Sequence, residues 1–104
     1  MPENKPVNRK GPDWRTVYAN GFGIQFMGID AIINFSILDD ISDPAKGVED
    51  QVSVVLNVQN FKALALVMSG LVAHHEKTTG QVVEINPRVK KNLEDAIASE
   101  KKIS

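Results

Sequence analysis

Hydrophobic positions recur at two spacings along this chain, first every second residue and later every third or fourth. The first spacing marks strands with one buried face, and the second marks a helix with an apolar stripe. From Thr16 to Met27, the residues Tyr18, Phe22, Ile24 and Phe26 share one face of a first strand. Asn20-Gly21 is a strong hairpin dipeptide, but little chain precedes it to serve as a partner strand. One long strand with a bulge at Gly21 or Gly23 is the preferred reading, and the hairpin is the alternative. Met27 to Asp30 is a turn in which Gly28 supplies the permissive backbone. Ala31 to Leu38 forms a second strand with Ala31, Ile33, Phe35 and Ile37 on one face. Its other face, Ile32, Asn34, Ser36 and Leu38, is mixed, which predicts partial cover on that side too. A polar connection, Asp39 to Asp50, leads to a third strand, Gln51 to Val58, where Val52, Val54, Leu56 and Val58 alternate with Gln51, Ser53, Val55 and Asn57.

The period then changes. Phe61, Leu64, Ala65, Met68, Val72 and His75 fall on one face of a long helix that starts at Val58 or Phe61 and ends at Thr79. Asn57 or Asn60 is its N-cap, and Gly80 stands where a left-handed residue closes a helix. Leu64 and Met68 are expected against the sheet, and His75 half-buried at the end of the stripe. Leu66, Val67 and Leu71 lie outside the stripe, beside Gly70, which permits close approach. A helix apolar over so much of its girth needs two partners, its own sheet and something else. Val82, Val83 and Ile85 form a short extended piece. Asn86-Pro87 opens a last helix whose narrow stripe is Val89, Leu93, Ala96 and Ile97, and its end, 99–104, is expected to fray.

These elements predict an α+β fold: an antiparallel three- to four-stranded β-meander packed on one long amphipathic helix, with a short C-terminal helix. Residues 1–13, with Pro2, Pro6, Gly11 and Pro12, read as a flexible arm, and Trp14 is expected to anchor it. The core domain spans 14–85, and the C-terminal helix and tail 86–104. With 104 residues the chain is one domain with a modest core.

Composition removes several functions. The net charge of −1 carries no basic excess of the kind nucleic-acid binders show. With no cysteine there is no disulfide, thiol nucleophile or cysteine-ligated metal, which suits a reducing compartment. The longest apolar stretch, Ala63 to Ala73, is broken by Ser69 and Gly70 and is too short to span a membrane. The N-terminus has no apolar signal region. A cytoplasmic protein without membrane or nucleic-acid partners is the expectation. Residues 17–60 hold six acidic side chains and one basic, Lys46, and most of that acid lies in the connecting loop.

Candidate chemistry is sparse. His74-His75-Glu76 is the most metal-like cluster, but adjacent helical residues diverge by about 100° and no further ligand stands three or four residues away. Gly21 to Gly28 does not match a dinucleotide fingerprint, and Asp39, Asp40 and Asp43 lack the spacing of a calcium loop. The serines have no nucleophile elbow or convincing base. Arg88, Lys90, Lys91, Lys101 and Lys102 are interleaved with acids and lack neighbouring aromatics. No catalytic residue, metal ligand or cofactor is implied.

Tyr18-Ala19-Asn20, two further strands, and a helix closing Glu76-Lys77-Thr78-Thr79-Gly80 form a pattern over about Val17 to Val83. It resembles a family of small prokaryotic proteins of about one hundred residues and unknown function. Lys62 falls where that family has an early helix lysine. Asn57-Val58 replaces the family's serine-proline, and His75 replaces its usual aromatic. The strand and helix order is also similar, at the level of fold alone, to the SecB-like export chaperones, which are homo-oligomers that hold unfolded chains.

The leading expectation is a non-enzymatic, self-associating protein-interaction module, a homodimer or tetramer joined through Val55 at a sheet edge or through Leu66, Val67, Gly70 and Leu71. Another protein partner is a further expectation. A SecB-like holdase is the alternative, and a small-molecule binder or enzyme the third.

Overall fold

The computed structural model describes residues 7–103, with side chains described to residue 99. Of the expected arm, residues 1–6 lie outside this range. Residues 7–19 form no helix or strand, apart from a turn closed by the Trp14 N–H on the Gly11 carbonyl, at 3.1 Å. Trp14 is exposed, with the Lys10 ammonium 5.5 Å from its ring centroid, so its main contact is local and it does not anchor the arm in a core.

Alternating residues build three strands, β1 (Gly21–Met27), β2 (Asp30–Leu38) and β3 (Val48–Asn57), in a meander ordered β1-β2-β3. The β1–β2 turn has Gly28 at φ 63°, a conformation that glycine adopts without steric cost. β1 is shorter than the alternation suggests and carries neither the hairpin nor the bulge expected around Gly21. Its register against β2 is unbroken from Gly21↔Ser36 to Met27↔Asp30. Asn20 replaces strand with side chain: its amide accepts from the Leu38 N–H at 2.7 Å and donates to the Leu38 carbonyl at 3.2 Å. Gly21 is small because Leu38 packs over it; an added Cβ would lie 2.8 Å from the Leu38 side chain. The register shift falls between β2 and β3, at Phe35/Ser36, where Gln51 is left over.

β3 begins three residues before the expected Gln51, because the connecting loop is shorter and ordered by its own acids. Asp43 caps a short 3-10 turn, Pro44–Lys46, and the Asp39 N–H bonds the Gly47 carbonyl at 3.1 Å.

The long helix α1 (Val58–Thr79) follows β3 with no intervening residue. Asn57 is its N-cap and accepts from the Asn60 N–H at 2.8 Å. Gly80, at φ 72°, closes it through a bond from its N–H to the Glu76 carbonyl. The Glu76 carboxylate accepts from the Val83 N–H at 2.8 Å and ties the outgoing chain to the helix end. Residues 82–85 join no sheet. The last helix, α2 (Pro87–Ile103), opens on Asn86, which accepts from the Arg88 N–H at 3.0 Å. It is helical to Ile103 although fraying is expected from Ser99, and Ser104 lies outside the described residues.

The packing departs most from expectation. Among the described residues only Ala31, Ile33 and Ser36 are buried. No side chain of α1 is buried. Phe61 meets Phe26 edge to face, with ring centroids 5.4 Å apart, and is the only apolar side chain of α1 that is even half-buried. Leu64, Met68 and His75, expected on the sheet or half-buried, are exposed. The helix leaves the sheet after its first turn. The radius of gyration is 16.8 Å, against about 13 Å for a compact chain of this length.

Candidate self-association interface

The pairing register stacks three cross-strand rows on one face of the sheet: Phe22–Phe35–Val52, Ile24–Ile33–Val54 and Phe26–Ala31–Leu56. Directly paired residues point to the same side, and steps of two keep the rows on that side. These three rows carry no charge; beyond the register shift the same face continues to the Ile37–Glu49 pair, which puts one carboxylate at its end. Its centre is covered by its own neighbours, since Ala31 and Ile33 are buried. Its margins are open, with Phe22 55% exposed and Ile24, Phe26 and Val54 exposed as well. Phe61 of α1 touches one end of this face at Phe26.

The opposite face is more polar. Ser36 is buried there and its hydroxyl donates to Asp50 at 2.7 Å. Val55, on the edge strand β3 and paired with Ile32, also lies on this side and is exposed.

Along α1 the apolar residues divide into two faces. Leu64, Met68 and Val72 continue the line of Phe61, one helical turn at a time. Leu66, Val67, Gly70 and Leu71, spaced i, i+1, i+4 and i+5, form a second patch that runs from the far side of the helix, at Leu66, round to the flank of the first line, where Leu71 stands seven residues from Leu64. Both faces are open: Met68 is 56%, Leu66 75% and Leu71 63% exposed. Among the described residues, nothing outside the helix's own neighbouring backbone lies within 4 Å of a Cβ placed on Gly70. Four of the five expected interface residues are thus together on one helix. Val55 is not with them; it belongs to the far face of the sheet. Phe22, Ile24, Phe26 and Val54 are apolar surface that sequence reasoning assigned to the core. The signal for their exposure is the direct passage from Asn57 to Val58, which leaves no loop for the helix to double back.

The C-terminal helix covers none of the exposed α1 residues and reaches the sheet face only at Phe22. It docks at the other end of the sheet, where half-buried Val89 and Leu93 line an open groove of about 380 Å³ with Phe22, Leu38, Ile41 and Ile85. The Asn92 amide reaches the Ser42 carbonyl at 3.3 Å. In the same loop the Asp40 carboxyl is held below the usual carboxylate range. The Ser42 hydroxyl at 2.7 Å is the main cause, followed by the Ser42 N–H and then the Lys46 ammonium at 3.6 Å.

His74 and His75 are both exposed on α1, and the His74 ring lies 3.5 Å from the Thr78 hydroxyl one turn on. Among the described residues no three His, Cys, Asp or Glu side chains converge, and no helix is long and apolar enough to cross a membrane. Comparison with known protein families, with curated proteins and with solved structures finds no match for this chain.

Proposed function

We propose that this chain is a non-enzymatic protein-interaction module that works as a homo-oligomer, a dimer or a dimer of dimers, in the cytoplasm. The observation that carries the reading is the amount of apolar surface one copy leaves open. The chain exposes 9307 Å², where a compact protein of 11.4 kDa exposes about 5,800 Å². The excess is about 3,500 Å². Exposed residues 7–18 account for a part, and the open sides of α1 and the sheet for another. A standard stable dimer buries roughly 800 Å² per partner. Part of the excess is apolar, since Leu66, Val67, Met68 and Leu71 of α1 and Phe22, Ile24 and Phe26 of the sheet are exposed, and contiguous apolar patches above a few hundred Å² mark interaction sites.

Light scattering coupled to size exclusion at low micromolar concentration tests the reading. The expected mass is two or four times 11.4 kDa. Leu71→Glu and Val67→Lys should lower it while leaving secondary structure in place. A wild-type mass near 11.4 kDa would remove the main support.

A second reading is a holdase for unfolded chains, of the SecB-like kind. It is favoured by Leu66 and Val67, which stay open on the side of α1 away from the Phe61 line. A holdase suppresses aggregation of a chemically unfolded client at stoichiometric ratios. Unchanged client turbidity would remove this alternative without touching the first.

A further inference from the structure

We infer that two copies of this chain exchange their long helices. The Leu64–Met68–Val72 side of α1 in one copy lies across the Phe22–Ile24–Val54 face of the other's sheet. The inference rests on the self-association reading and names its geometry.

The junction sets the direction. β3 ends at Asn57 and α1 begins at Val58, with Asn57 extended at φ −68°, ψ 160° and capping the helix. The Val58 N–H is also bonded to the Ile29 carbonyl at 2.8 Å, in the β1–β2 turn. A strand and a helix that pack on each other within one chain are usually joined by about 2–6 residues. Here there are none, and the cap and the Ile29 bond fix the exit. The helix therefore parts from its own sheet after Phe61, and both surfaces remain open. Short hinges of this kind favour exchange between copies.

The two surfaces fit in size and chemistry. From Leu64 to Val72 the helix rises about 12 Å, and from Val52 to Leu56 the three rows span about 13 Å. Three strands about 4.8 Å apart give a face roughly as wide as one helix. Each copy thus has one helix to place and one face to receive it. Reciprocal exchange satisfies both and closes with two-fold symmetry, leaving no copy unpaired. Neither the three rows nor the Leu64–Met68–Val72 line carries a charge; Lys62, Ser69 and Lys77 fall outside that line, and Glu49, paired with Ile37, stands beyond the rows at the end of the face. Leu66, Val67 and Gly70, turned away from that line, stay outward and are free to join dimers into a tetramer.

The chain has no native cysteine, which makes cross-linking selective. Ile24→Cys and Met68→Cys are prepared as separate variants, unfolded together, refolded, and treated with a short bismaleimide. Because each chain carries one thiol, every cross-link is between copies. The expected result is a doubling of mass on a denaturing gel, with peptide mapping showing the 24–68 link as the main product. A predominant 68–68 link means helix against helix, and a dimer with neither link means edge pairing; either overturns the exchange while self-association stands. A single-chain mass by light scattering overturns both. If either variant fails to fold, wild type supplies the answer. A mixture of ¹³C-labelled and unlabelled chains should give intermolecular nuclear Overhauser contacts from Leu64, Met68 and Val72 methyls to Phe22 and Ile24. Contacts from Leu64, Met68 and Val72 to those residues only within one chain overturn the exchange.

Discussion

Single side chains do much of the work that backbone pairing does elsewhere in a sheet. Asn20 ends the first strand by bonding both polar groups of Leu38, so Asn20→Ala removes two hydrogen bonds at a site open to water. The expected loss is about 1 kcal/mol by chemical denaturation, and Asn20→Asp, which keeps the acceptor, should lose less. Asp40 organises the acidic loop through Ser42. Because its folded pKa is lowered, the stabilisation it contributes is fully present above the ordinary carboxylate pKa and is lost as pH falls through the lowered value. Ser42→Ala should move the Asp40 titration, followed by carboxyl NMR, upward toward the ordinary value. An unmoved titration would mean that the hydroxyl is not the cause.

At the level of elements, the caps of α1 are local and independent of what the helix packs against. Gly80 sits at φ 72°, where a side chain is strained, so Gly80→Ala should cost about 1 kcal/mol of stability. Asn57→Ala should cost a similar amount, about 1 kcal/mol, through the lost bond to the Asn60 N–H. Thermal melts of the two variants at equal concentration check both. The Leu64–Met68 side of the same helix is a different matter. Periodicity located the stripe through Leu64 and Met68 but not its partner, because a period of 3.6 states only that some surface covers those residues.

For the whole molecule, the proposed helix exchange would make folding and association one process. A species whose stability depends on a partner copy melts at a temperature that rises with concentration. Wild type should show this across a hundredfold dilution series. Met68→Asp should abolish the dependence and lower the melting point, since it places a charge on a surface meant for an apolar partner. Lys90→Asp, an exposed change on α2, should leave both as they are. Identical melts for Met68→Asp and wild type would show that this side of α1 stays in water.

The order of three strands and two helices, the Gly28 turn, and the caps at Asn57, Gly80 and Asn86 were legible in the sequence. Each depends on interactions within a few residues: alternation, a left-handed glycine, an oxygen reaching a nearby N–H. The extent of β1, the position of the register shift and the exposure of α1 were decided only in three dimensions. Leu38 closing over Gly21 and bonding Asn20 is a contact across eighteen residues of chain, and no local pattern encodes it. Leu64, Met68 and Ile24 are apolar in sequence for the same reason whether their cover comes from their own chain or another. Hydrophobic burial is non-directional and specifies only that water must leave, whereas the residue-free junction at Asn57–Val58 carries the helix away from its own sheet.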